Sequence, residues 1–191
     1  MYWFKQGLTP NPSPVERGFI FIMVLGVVMA FSSCRPEVKE TKGTLPYFDI
    51  KGFFKADSAR LSKTGLITKT VIHNNITETK KVHIDNWGRE FELFTNSDIN
   101  RPAWRESYSI SKGDNVIIYQ AKTPELKTRR IVIGKTGDKV KWILILNHTK
   151  NLLYENSERL SYFPDSLYQI IKTQKVRVMS KNTYTIKGVF N

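Results

Sequence analysis

Cysteine is almost absent: Cys34 is the only one in 191 residues. No disulfide and no multi-thiolate zinc site can form beyond it, so the region after Cys34 must be held together by packing. Histidine is scarce as well, with only His73, His83 and His148. A turn at Asn74–Asn75 puts His73 beside the turn and His83 opposite Leu66, about seven residues along the ladder, or ~23 Å at strand rise. Those two cannot share a metal, and His148 falls at a strand end. The patterns for a serine nucleophile elbow, a zinc-protease helix and a glycine-rich phosphate loop are missing, and no cofactor is implied. Acidic residues are outnumbered, 17 Asp+Glu against 30 Lys+Arg, for a net charge of +13. Glu90, Glu92 and Asp98 cluster around one predicted helix, but glycoside hydrolysis would need two carboxyls converging on one bond. These absences point to a non-catalytic protein.

Long apolar runs are also rare. The one present, Phe19–Phe31, has thirteen residues without a charge. As a helix it would span roughly 20 Å, whereas a bilayer core calls for about 20 apolar residues. Thirteen residues suit the hydrophobic region of a signal peptide, flanked by Lys5 and Arg17 and ending at small residues. Two other readings compete. A buried core helix would carry polar residues on one face, and this run has none. An uncleaved anchor would be short for a membrane. Upstream, Pro10, Pro12 and Pro14 exclude a helix or a central strand, and this stretch reads as a doubtful N-terminal extension.

The run ends in Phe31, Ser32, Ser33 and Cys34. This resembles the lipobox of bacterial lipoproteins, in which a large apolar residue and two small ones precede the modified cysteine. Phe31 stands where leucine is usual. The resemblance implies that Cys34 receives a diacylglycerol and that the signal is cut before it. Two or more acyl chains, at about 0.8 kcal/mol per buried methylene, hold a protein stably on a membrane. Residues 1–33 are then a signal peptide, 34–46 a lipidated tether, and 47–191 a single domain. The whole is similar to the small lipoproteins of Bacteroidota. In that group, surface-exposed members carry adjacent acidic residues after the cysteine. Here Glu37 and Glu40 are separated by Val38 and Lys39, which favours the periplasmic face of the outer membrane. The triplets Asp57-Ser58-Ala59 and Asp165-Ser166-Leu167 resemble the short O-glycosylation acceptor of the same phylum.

The part after the signal keeps 28 of the 30 basic and 16 of the 17 acidic residues, a net of about +12. Such a balance attracts anionic partners, lipid headgroups among them. The basic residues are spread evenly, which also fits a plain solvated surface. Export argues against nucleic acid.

Within 47–191 the pattern is α+β. Tyr47–Lys63 reads as a helix with Ile50, Phe54 and Leu61 on one side and Gly65 as its stop. A hairpin follows, with Val71 facing Glu78 and Ile67 facing Val82, placed near a sheet edge. Trp87, Phe91 and Phe94 recur at helical spacing after Asp85 or Asn86, either of which can cap a second short helix. Asn100–Trp104 is a turn. From Arg105 onward strands follow one another through short turns, giving an antiparallel meander of about nine strands in all, curled into a half-barrel. The segment from Val140 to Leu146 is apolar on both faces, as a central strand would be. An irregularity near Ile171 suggests a bulge or bend.

A lipidated chain with an N-terminal helix and a long meander is similar in layout to the periplasmic lipoprotein-carrier group and its outer-membrane receptor. A curled sheet with an apolar concave face under helices is one way to take a greasy ligand, and it is also the arrangement of a plain hydrophobic core. Phe54, Phe91, Trp142 and Leu144 are the residues expected to line such a cavity. Trp87, Trp104 and Trp142 read as core, or as an interface that anchors a partner. The expected function is a membrane-tethered protein binding an apolar or amphiphilic ligand or a protein partner. The alternatives are an adaptor subunit of an envelope complex without a small ligand, and an enzyme of unknown type.

Overall fold

The computed structural model describes residues 45–74, 76–177 and 180–190. The predicted signal segment, Cys34 and all of the tether except its last two residues lie outside the described residues, as do Asn75 and Val178.

Helix α1 (Ile50–Leu61) starts at Asp49, whose side chain accepts the Gly52 N–H at 2.8 Å. A Cβ at position 52 would lie 2.1 Å from the Asp49 carboxylate, so glycine is what leaves the cap its room. The helix buries Ile50, Phe54 and Leu61, the three residues its spacing predicts. The second helical stretch is two single turns, α2 (Trp87–Glu90) and α3 (Glu92–Thr95), broken at Phe91. Asn86 caps it, accepting the Arg89 N–H at 2.9 Å. A 3₁₀ turn, Pro102–Trp104, leads to the next strand.

The strands are β1 (Ile67–His73), β2 (Ile76–Val82), β3 (Tyr108–Lys112), β4 (Val116–Ala121), β5 (Thr128–Thr136), β6 (Lys139–Lys150), β7 (Tyr154–Phe163), β8 (Leu167–Val176) and β9 (Asn182–Val189). They form one antiparallel sheet in the order β2-β1-β9-β8-β7-β6-β5-β4-β3. From β3 to β9 each strand pairs with the next, and the β1–β2 hairpin adds to the free side of β9. Ile67 pairs with Val82 and Val71 with Glu78, as the turn predicts. The sheet is not closed into a barrel: β2 and β3 are its two edges.

The described helices pack on one face of this sheet, where Ile131, Ile133, Ile143, Ile145, Leu160, Tyr162, Tyr168 and Ile170 meet Ile50, Phe54, Phe91 and Phe94. Two side-chain ties fasten the helices to the sheet. The Tyr162 hydroxyl on β7 donates to the Asp57 carboxylate on α1. The Tyr168 hydroxyl on β8 donates to Glu90 Oε1 on α2 at 2.5 Å. Tyr162 and Tyr168 are register partners, so both ties spring from one rung of the sheet.

The expected irregularity at Ile171 is not a bulge. β7 and β8 pair without interruption from Phe163↔Leu167 to Tyr154↔Val176. Ile171 is simply an apolar residue on the far face. Two register shifts lie instead between β5 and β6, the first where Thr128↔Asn147 gives way to Arg130↔Leu146 and the second where Gly134↔Trp142 gives way to Lys135↔Val140. The extra residue, Lys141, turns Val140 into the core and separates it from the face shared by Trp142, Leu144 and Leu146.

Candidate ligand-binding cleft

Under the helices the interior is solid. Phe54 and Phe91 have ring centroids 5.2 Å apart, and each lies against Tyr162, at 4.9 and 5.3 Å. Both phenylalanines are fully buried. Trp142 and Leu144 are elsewhere. They point from β6 to the far face of the sheet, because Ile143 and Ile145 take the helix side. The four residues expected to line one cavity are therefore split between two faces, and the helix-side pair is packed shut by neighbouring rings. The two faces of β6 are legible in the sequence, but which one the helices cover is decided by partners such as Tyr162 and Leu160 on a neighbouring strand. Trp87 is buried and Trp104 packs against the core, both as core residues would.

The opening lies at the margin of this core. A cleft of about 460 Å³ runs between the α2–α3 turns and the helix-side face of β1, β8 and β9. Ile170, Ile186 and Leu93 give it an apolar floor, while Lys69, Arg89 and Glu92 stand at its polar rim. Glu90 crosses the wall, accepting two hydrogen bonds from Lys69 Nζ at 2.7 and 2.9 Å besides that from Tyr168. Burial, and next the bond to Glu90, push the Tyr168 phenol well above its ordinary range. It is a fixed donor rather than an acid. Burial and the Asp57 bond act the same way on Tyr162.

A second polar cluster is built into the sheet beside it. Glu158 on β7, with a side chain only 3% exposed, accepts from Asn147 Nδ2 and Asn156 Nδ2, both at 3.1 Å. Lys127 and Lys172 approach it at 3.9 and 3.7 Å. Asn147 also donates to Ser97 Oγ at 2.8 Å, which fastens the loop after α3 to the sheet. The Oδ1 atoms of Asn147 and Asn156 are buried without a hydrogen-bond partner.

Compared with family models, with curated proteins and with solved structures, the chain matches none.

The remaining predicted features fall as follows. Among the described residues no group of three or more His, Cys, Asp or Glu could hold a metal. Also among them, no helix is long and apolar enough to cross a membrane. His73 and His83 flank opposite ends of the β1–β2 hairpin. Glu90 and Glu92 both border the cleft, whereas Asp98 is buried and engaged with Asn100. Of the two acceptor-like triplets, Ser166 is exposed in the β7–β8 turn, while Ser58 is half-buried on α1 beside an Asp57 committed to Tyr162. The cleft residues Lys69, Arg89, Ile170 and Ile186 had no sequence signal. They come from four separate elements and meet only through the docking of the β1–β2 hairpin on β9.

Proposed function

We propose that this chain is a lipid-anchored, non-catalytic envelope protein whose domain binds an amphiphilic ligand in the cleft beside α2. The lipobox-like ending at Cys34 supports the anchor. The observation that carries the binding role is the lining of the cleft, with apolar residues at its base and charged residues of both signs, Arg89 and Glu92 among them, at its rim. Such a lining suits a ligand with a short apolar part and a polar head that carries charge of both signs. The solid interior excludes long acyl chains from the space under the helices, so the ligand lies along an open face rather than inside a cavity.

Mass spectrometry of the full chain purified from membranes in mild detergent tests this reading. A retained amphiphile is expected, with its yield reduced by Arg89→Glu at the exposed rim. A wild-type protein that retains nothing overturns it. A second reading, an adaptor subunit, draws on the same solid core, since a packed domain needs no ligand to be stable. A photo-cross-linker at position 89 that captures one protein and no lipid in cells would select the adaptor.

A further inference from the structure

The β6–β7 hairpin breaks a local rule. Its closing residues, Asn151 and Tyr154, are joined by a hydrogen bond from the Asn151 N–H to the Tyr154 carbonyl at 2.9 Å. That leaves Leu152 and Leu153 as the two loop residues. Two-residue loops favour Gly, Asn or Asp, because the usual turn types need positive φ. Neither leucine has it: Asn74 is the only non-glycine residue with positive φ among those described. The turn is stabilised instead by Asn151 Oδ1, which accepts both the Leu153 and the Tyr154 N–H at 2.8 Å. Leu152 is 87% exposed and Leu153 68% exposed. Fold stability accounts for neither: turn chemistry disfavours them, and they add little to the core.

The same end of the sheet carries further apolar side chains. Register places the starts of β7, β9 and β2 at this end, with Tyr154, Tyr184 and Ile76 all exposed there. Charge is arranged around them. Lys150, Lys175, Arg177 and Lys181 are exposed at these strand ends, with Glu155 as the nearby carboxylate. On the far face, a notch of about 310 Å³ between β7 and β8 is lined by Ser157, Thr173, Lys175, Lys181 and Glu155. Glu155 lies 3.7 Å from His148 Nε2, and His148 Nδ1 is 3.0 Å from Ser157 Oγ.

We propose that this end of the sheet docks on an anionic phospholipid surface, with Leu152 and Leu153 inserted among the headgroups and Lys175 and Lys181 contacting phosphates from the adjoining notch. Preformed turns with exposed leucines can enter the interface without unfolding, and the notch is lined by the hydroxyls of Ser157 and Thr173, which pair with His148 Nδ1 at 3.0 Å and Thr183 Oγ1 at 3.4 Å. Each basic residue near such a surface contributes about fivefold in affinity, and apolar insertion adds to it. Docking here is independent of what the cleft binds. It would hold the domain in a fixed orientation on the bilayer.

The test uses the full chain with Cys34→Ser, carrying an environment-sensitive fluorophore on Leu152→Cys or, as a control, on Asp138→Cys. Asp138 is exposed in the β5–β6 turn at the opposite end of the sheet. On phosphatidylglycerol vesicles, emission from position 152 is expected to shift to the blue and to resist an aqueous quencher. Position 138 is expected to stay solvated. On phosphatidylcholine vesicles the shift should be lost or need far more lipid. Lys175→Gln with Lys181→Gln should weaken the response about 25-fold. A label at 152 that stays wet on anionic vesicles overturns the proposal. So does equal burial at 138, which would mean that the apolar N-terminal run alone places the protein on lipid. A shift that grows with protein concentration in the absence of vesicles also overturns it, since it would identify a second copy of the chain as the occupant.

Discussion

Two glycines in the sheet lie beneath aromatic rings on their register partners, and the pair allows a controlled prediction. Gly188 on β9 faces Tyr168 on β8, and Gly134 on β5 faces Trp142 on β6. A Cβ at either position would fall 2.1 Å from the nearest ring atom, so something must move in both cases. What differs is the freedom of the ring. Tyr168 is fully buried, lies within 6.4 Å of the Trp87, Phe91 and Phe190 rings, and is tied to Glu90 at its hydroxyl. Trp142 is half-exposed on the far face and can swing toward solvent. Gly188→Ala should therefore cost about 2–4 kcal/mol, combining overpacking with a weakened bond to a charged acceptor. In Gly134→Ala, displacement of the indole is offset by the roughly 0.5–1 kcal/mol that alanine gains over glycine in a strand. The net should lie within about 1 kcal/mol of zero. Urea unfolding followed by tryptophan fluorescence gives both values, provided the slope with denaturant is unchanged. In a double-mutant cycle, Tyr168→Ala should remove most of the Gly188→Ala penalty. Equal costs at the two glycines, or a neutral Gly188→Ala, would refute the claim that the Tyr168 rung is locked.

Further expectations can be measured in the same way. Tyr162→Phe removes the donor that ties Asp57 to the sheet and should lower stability by about 1.5–3 kcal/mol. Glu158→Ala strands the amide donors of Asn147 and Asn156 and should cost about 2–3 kcal/mol, while Leu152→Asp at an exposed tip should change stability by less than about 0.5 kcal/mol. Stability should also fall in alkali. Burial raises the Tyr108 phenol from 10.0 to about 12, so the folded state holds that proton more tightly than the unfolded one. This contribution is complete below pH 10 and is lost as pH climbs through about 12. Tyr119, Tyr162 and Tyr168 are raised as well and act in the same direction. Tyrosinate absorbance recorded with circular dichroism through an alkaline titration would show these phenols ionising together with unfolding.

Local pattern made much of the fold legible. The Ile50–Phe54–Leu61 stripe, the Asn86 cap, the register around the Asn74 turn and the number of strands all depend on neighbours in sequence, and all are present. Long-range choices were not readable. The β1–β2 hairpin could have joined either free side of the meander, and only its pairing with β9 creates the cleft over Ile170 and Ile186. Trp142 and Leu144 read as cavity residues because β6 is apolar on both sides, and nothing in its own sequence says which side the helices take. The bulge at Lys141 was hidden for a similar reason, since Val140 continues the alternation of the strand. The two leucines of the "NLLY" turn were the overlooked signal: a loop position filled against turn chemistry is visible in the sequence once the turn is located.

The lipid attachment at Cys34 is the point on which the proposed function turns. Metabolic labelling with palmitate in cells producing the full chain should mark the wild-type protein and leave Cys34→Ser unmarked. A wild-type chain that matures normally and takes up no label would contradict the proposed anchor, and with it the assignment of this domain to a membrane surface.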